Sequence, residues 1–111
     1  MKNLYDEDYY ERGIENGVSC YTNYRWLPEL TIPMAATMIE YLGIDMGDRI
    51  LDFGCAKGYL VKAFRLLHRE AYGFDISDYA RENAHDDIRK YVSNDLRMWG
   101  GYGLGNIKRC I

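Results

Sequence analysis

A chain of 111 residues allows one domain, and a hydrophobic content of 48% is enough to bury a core, so a chain disordered throughout is excluded. The net charge of −3 argues against an extended electrostatic footprint for nucleic acid. No apolar run approaches the length of a membrane span, the start Met1-Lys2-Asn3-Leu4-Tyr5-Asp6-Glu7-Asp8 lacks an apolar signal-peptide centre, and the three scattered cysteines, Cys20, Cys55 and Cys110, form no framework, so a cytoplasmic protein with reduced thiols and no membrane partner is expected.

Residues 1–30 are rich in tyrosine and acids, with Tyr5, Tyr9, Tyr10, Tyr21, Tyr24 and Trp26 placed where neither a strand nor a long helix is marked. Glu7 to Arg12 reads as a short helix ending at Gly13. Aromatics of this kind either close over a pocket or clamp the outside of a domain. A better-marked helix begins at Thr31, its candidate cap, with Pro33 in the first turn, Met34, Met38, Ile39 and Leu42 as its apolar positions, and Gly43 as its stop.

The stretch Ile50-Leu51-Asp52-Phe53-Gly54-Cys55-Ala56-Lys57-Gly58-Tyr59-Leu60 opens as a buried-type strand, turns through two glycines flanking an alanine, and enters the helical pattern Leu60, Val61, Phe64, Leu67. Glycine fits such a loop because it takes positive φ and admits a ligand close to the backbone, and the helix start behind it presents unpaired N–H groups. Either the loop is a ligand cradle or it is a bare strand-loop-helix corner. A dinucleotide fingerprint G-x-G-x-x-G fits poorly, because counting from Gly54 puts Ala56 second and Tyr59 third. The spacing D-x-G-x-(G/A)-x-G is filled at Asp52, Gly54, Ala56 and Gly58, with Cys55 inside the loop.

Ala71-Tyr72-Gly73-Phe74-Asp75-Ile76 is a second short apolar run ending in an acid, and Ser77 caps a helical stretch from about Asp78 to Asp87. A carboxylate at such a strand tip suits a ribose, since two neighbouring hydroxyls can donate to its two oxygens. Asp75 is therefore the candidate ribose ligand. Tyr91-Val92-Ser93-Asn94-Asp95-Leu96 gives a third short strand followed by Asn94 and Asp95, a pair that a plain turn would also explain. With His68 and His85 as the only histidines and neither near a cysteine, no metal site is expected.

With both motifs in register, the sequence resembles the class I S-adenosylmethionine (SAM)-dependent methyltransferases over roughly residues 31–96, the cofactor half of that fold. The resemblance implies that the loop backbone carries the methionine end of SAM, that Asp52 helps hold the methionine amino group, that Ile76 forms one wall of the adenine pocket, and that Asp95, with Asn94 as its competitor, reads the adenine amine. It also likens the Tyr-Tyr-Glu-Arg-Gly segment at residues 9–13 to an N-terminal cap near the cofactor mouth.

The expected fold is α/β, a small parallel sheet of Rossmann-like βαβαβ topology truncated after the third strand, with strands near 49–54, 71–75 and 91–93 and helices near 58–69 and 78–88. Three parts are expected: an aromatic cap over 1–30, the SAM-binding half-domain over 31–96 and a glycine-rich tail over 97–111. In the family's strand order the first strand is central, so ending after the third exposes its edge. Either the tail adds as a strand or a second copy pairs there, unless the chain is an unstable fragment; self-association through that edge or the Tyr102–Ile111 tail is the expectation. The implied function is methyl transfer from SAM to an unidentified acceptor, against two alternatives, a non-catalytic SAM-binding or assembly protein and a small SAM-cleaving enzyme. No general base is assigned; Tyr9, Tyr10, Tyr21 and Asp95 are candidates by polarity alone.

Overall fold

The computed structural model describes Glu7, Glu11, residues 25–95 and residues 107–111. Helix α1 (Pro28–Leu42) leads into β1 (Arg49–Phe53), α2 (Tyr59–Leu66), β2 (Glu70–Phe74), α3 (Asp78–Glu82), a single 3-10 turn (Arg89–Tyr91), β3 (Val92–Ser93) and β4 (Ile107–Cys110). Among the described residues the sheet has four strands in the order β3-β2-β1-β4, and every pairing is parallel. The α/β fold and the parallel β1-β2-β3 arrangement are thus as the sequence predicts.

Helix α1 starts three residues before Thr31. Pro28 at its first turn is preorganised for the helix and has no N–H to leave unpaired, and the Leu27 carbonyl accepts from the N–H groups of Leu30 and Thr31. Its end is at Gly43, whose φ of 64° is left-handed, and Ile44 N–H closes onto the Ile39 carbonyl at 3.0 Å. Ser77 caps α3 as expected, its hydroxyl accepting from Ala80 N–H at 3.0 Å. That helix is shorter than the stretch to 87: Asn83 caps it, its N–H and side-chain amide both donating to the Tyr79 carbonyl (3.0 and 2.8 Å), and the next N–H, of Ala84, turns to the Arg81 carbonyl at 3.3 Å. Glu7 and Glu11 are helical, while Arg12, Gly13, Tyr9, Tyr10, Tyr21 and the glycines of 100–105 lie outside the described residues.

Two features position the glycine loop. Strand β1 is central, paired with β2 from Arg49↔Glu70 to Phe53↔Phe74, so its C-terminal tip is fixed against that of β2. Helix α2 packs its buried Val61 and Phe64 onto the sheet face made by Ile50, Ala71 and Val92, and α1 packs along α2. Gly73 is required in β2: a Cβ there would stand 2.5 Å from Cys55 Sγ, so the loop could not lie down on the sheet.

Of the outcomes expected for the β1 edge, the tail adding as a strand is the one found. Strand β4 pairs with β1, and the pairing continues past Cys110, with Phe53 N–H donating to the Ile111 carbonyl at 3.0 Å and Ile111 N–H to the Leu51 carbonyl at 2.8 Å. Arg109 also donates to the Leu42 carbonyl at the end of α1. The same chain satisfies the backbone groups that a second copy would have needed, so β1 has no edge left to offer.

Candidate functional site at the strand tips

The sheet brings Asp52 and Asp75 to the carboxyl ends of neighbouring strands, with the loop 54–58 between them. Three positive φ values build that loop: 72° at Gly54, 53° at Ala56 and 76° at Gly58. Its N–H groups are already used. Gly54 and Cys55 both donate to the Phe74 carbonyl (2.8 and 3.1 Å), Ala56 donates to Asp75 Oδ2 (2.7 Å) and Gly58 donates to the Cys55 carbonyl (2.9 Å). A ligand therefore meets these four residues through the shape they leave rather than through free donors, a different use of the loop from the unpaired N–H cradle read in the sequence.

The two glycines at its ends differ. A Cβ at Gly54 would meet no atom of the described residues within 4 Å, so among them the exposed face of that residue is open. A Cβ at Gly58 would stand 2.8 Å from Val92 Cγ2 and 3.0 Å from Ile88 Cδ1, so Gly58 is pressed against the core. Cys55 is turned inward over Gly73, and burial pushes its thiol pKa far up, with the charges of Asp52 and Asp75 adding to the effect. It shapes the loop and is an inert neutral thiol there.

Asp52 is only 8% exposed and its carboxylate has no hydrogen-bond partner among the described residues. Desolvation first, and the nearby Asp75 second, raise its pKa to about 7. Asp75 is equally buried, at 7%, but satisfied: Oδ2 accepts from Ala56 N–H and Oδ1 from Ser77 N–H at 2.9 Å. A carboxylate offers about four acceptor sites, so two remain for a ligand's hydroxyls.

Ile76 follows Asp75 and is 58% exposed, so it stands at the mouth and not in the core. Beyond β3, Asn94 donates to Asp78 Oδ1 at 3.0 Å, which holds it on the first turn of α3, and Asp95 N–H donates to Ser93 Oγ at 3.0 Å. The structure thus gathers Asp52, Gly54, Asp75 and Ile76 at one end of the sheet, with Asn94 and Asp95 just past β3.

Three residues not singled out in the sequence also belong to this end. Lys57, inside the loop, is 7% exposed and paired with Glu11 at 2.5 Å; Tyr79 of α3 donates its hydroxyl to the same Glu11 oxygen at 3.3 Å, and the Lys57 ammonium lies 5.4 Å from the Tyr79 ring centroid. The sole signal in the sequence was a lysine placed within a glycine loop. Contacts across 46 and 68 residues leave no local pattern.

A parallel sheet with a glycine loop at the tip of its central strand and an acid at the tip of the next is the arrangement of the cofactor-side half of a class I SAM-dependent methyltransferase, and a family match agrees with it. The family model described as protein-L-isoaspartate(D-aspartate) O-methyltransferase (PCMT) matches residues 29–105, more than half of the chain, and the chain belongs to that family. The match carries the likeness past Leu96, where the legible motifs stop. No curated protein and no solved structure matches the chain. Among the described residues no helix is long and apolar enough to cross a membrane.

Proposed function

We propose that this chain binds SAM across the tips of β1 and β2 and that the methyl acceptor is a carboxylate of the isoaspartyl type named in the family's description. The observation that carries the cofactor reading is the buried carboxylate of Asp52, which has no partner among the described residues. Its surroundings disfavour the charged form, and a ligand ammonium is the partner that would stabilise it. The open face of Gly54, the two remaining acceptor sites of Asp75 and the exposed Ile76 fit the methionine stem, the ribose and the adenine in that order along the sheet end. On this reading Asn94 and Asp95 lie where the adenine edge would reach.

Bound SAM supplies an electrophilic methyl: the acceptor oxygen forms the new O–C bond as the C–S bond breaks, and the electron pair leaves on sulfur. A carboxylate is already a nucleophile near neutral pH, so the chain needs no general base. Its own residues bind and orient: Asp52 fixes one end of the cofactor, Asp75 the middle, and the loop 54–58 holds both by its hydrogen bonds to β2 and to Asp75. Rate then comes from placing acceptor and methyl in line.

Calorimetric titration with SAM and with its demethylated product, S-adenosylhomocysteine (SAH), tests the cofactor reading, and binding that Asp52→Asn weakens is the expected result. Incubation with methyl-labelled SAM and either an isoaspartyl peptide or its normal aspartyl counterpart tests the acceptor. Label on the isoaspartyl peptide alone is expected. Binding with neither peptide labelled removes the acceptor, and SAM consumed without any peptide would replace methyl transfer by cleavage of the cofactor.

A further inference from the structure

Lys57 is an unusual occupant of its loop. It lies between Ala56 and Gly58, and with only 9% of its side chain exposed its charge is poorly screened by solvent. The charge that answers it comes from Glu11, at 2.5 Å. Glu11 is also held by the Tyr79 hydroxyl, and its charge reaches the first residue of α2: after desolvation by burial, Glu11 is the next cause of the raised pKa of Tyr59. One carboxylate therefore touches the cofactor loop and the helix that follows the ribose acid, and is felt at the start of α2.

The cofactor assigned above differs from its product by one charge: SAM carries a sulfonium cation and SAH a neutral thioether. A buried lysine beside the cradle with the charge of Glu11 removed would oppose the first more than the second. We propose that Glu11 is a positioning residue that neutralises Lys57 and thereby lets the loop favour the charged cofactor over its neutral product. The inference rests on SAM binding at this loop, and concerns the ratio of the two affinities, not their sum.

The ratio of dissociation constants, Kd(SAM)/Kd(SAH), is the readout, because a purely structural tie would weaken both ligands together. Calorimetry on the full chain is expected to show the ratio rising on the order of three- to tenfold in Glu11→Gln, the Coulomb effect of one uncompensated charge in a partly buried site. Lys57→Met, which leaves the Glu11 anion in place, should move the ratio the other way, and the double variant Glu11→Gln/Lys57→Met should restore it to within about twofold of wild type, as a coupled pair requires. Ligand binding with the same ratio in both single variants overturns the proposal and leaves the SAM reading standing. Failure of wild type to bind either ligand overturns the SAM reading itself, and this proposal with it. Should Glu11→Gln fold poorly, the Lys57→Met arm still decides, since an unmoved ratio there is sufficient to reject the coupling.

Discussion

Asp52 and Asp75 occupy equivalent places at the tips of two adjacent parallel strands and are buried to the same degree, yet their surroundings are opposite. Asp75 is anchored by the protein, which turns Ala56 N–H and Ser77 N–H onto its two oxygens and leaves two acceptor sites open. Asp52 is given nothing among the described residues and is pushed up to about 7 by burial and by Asp75. On the proposed reading the difference separates two jobs that one motif combines: Asp75 holds the loop in shape before any ligand arrives, and Asp52 stores an unfavourable interaction that a cationic group would relieve on binding.

The largest expected effect follows from removing the satisfied acid. Asp75→Ala leaves two buried N–H groups without an acceptor, at about 1–3 kcal/mol each, so urea unfolding should show a loss of roughly 2–6 kcal/mol. SAM binding should fall by a further 1.5–3 kcal/mol, the range for hydrogen bonds to a charged group. A variant as stable as wild type would mean that the loop does not depend on Asp75.

Asp52→Asn should do the reverse to stability while still harming binding. An acid whose folded pKa is about 7, above an unfolded value of about 3.9, holds its proton in the folded state where the unfolded chain has lost it. The cost of folding is therefore absent below the unfolded value, grows as pH rises through the window from about 4 to 7, and is complete above it. Asp52→Asn should be more stable than wild type at pH 8, by on the order of 1–3 kcal/mol, and the gain should shrink towards zero at pH 4. Its SAM affinity should fall by about 1.5–3 kcal/mol. In wild type, affinity should rise from pH 5.5 to about 7, where an α-amino group with a pKa of about 7.7–8.0 is still largely charged. Flat affinity over that window would remove Asp52 from the cofactor site.

Much of this contrast could be read from the sequence. The order strand, glycine loop, helix, strand, acid is local, and Gly54, Gly58, Asp75 and the cap at Ser77 each carry their reason in their own neighbours. What escaped needed contacts between distant segments. A strand at Ile107–Cys110 is one expected way to cover the β1 edge, but nothing in its four residues chooses it over a second copy; the β1 pairing decides it. The saturation of the loop N–H groups depends on the Phe74 carbonyl and Asp75, and the role of Lys57 on Glu11, none of which spacing encodes.

The two glycines offer a finer version of the same comparison, one pressed on the core and one beside the proposed ligand. Gly58→Ala must force a methyl to within 2.8 Å of Val92 and 3.0 Å of Ile88 while holding a φ of 76°, so a stability loss of roughly 2–3 kcal/mol is expected, overpacking added to left-handed strain. Any fall in SAM affinity should follow that loss.

Gly54→Ala should show the smallest change in stability. Its φ of 72° costs an alanine about 1–2 kcal/mol, and its Cβ would meet no atom of the described residues within 4 Å, so they add no overpacking. The same emptiness is what makes the position informative, since the methyl would occupy the space in which the methionine stem is proposed to lie. Affinity for SAM and for SAH should therefore drop by more than the stability does, and by a similar factor for both ligands, because the obstruction is steric and carries no charge. Urea unfolding together with the two titrations distinguishes the cases: equal affinity in the presence of the strain cost would place the ligand away from Gly54 and return the open side of the loop to solvent.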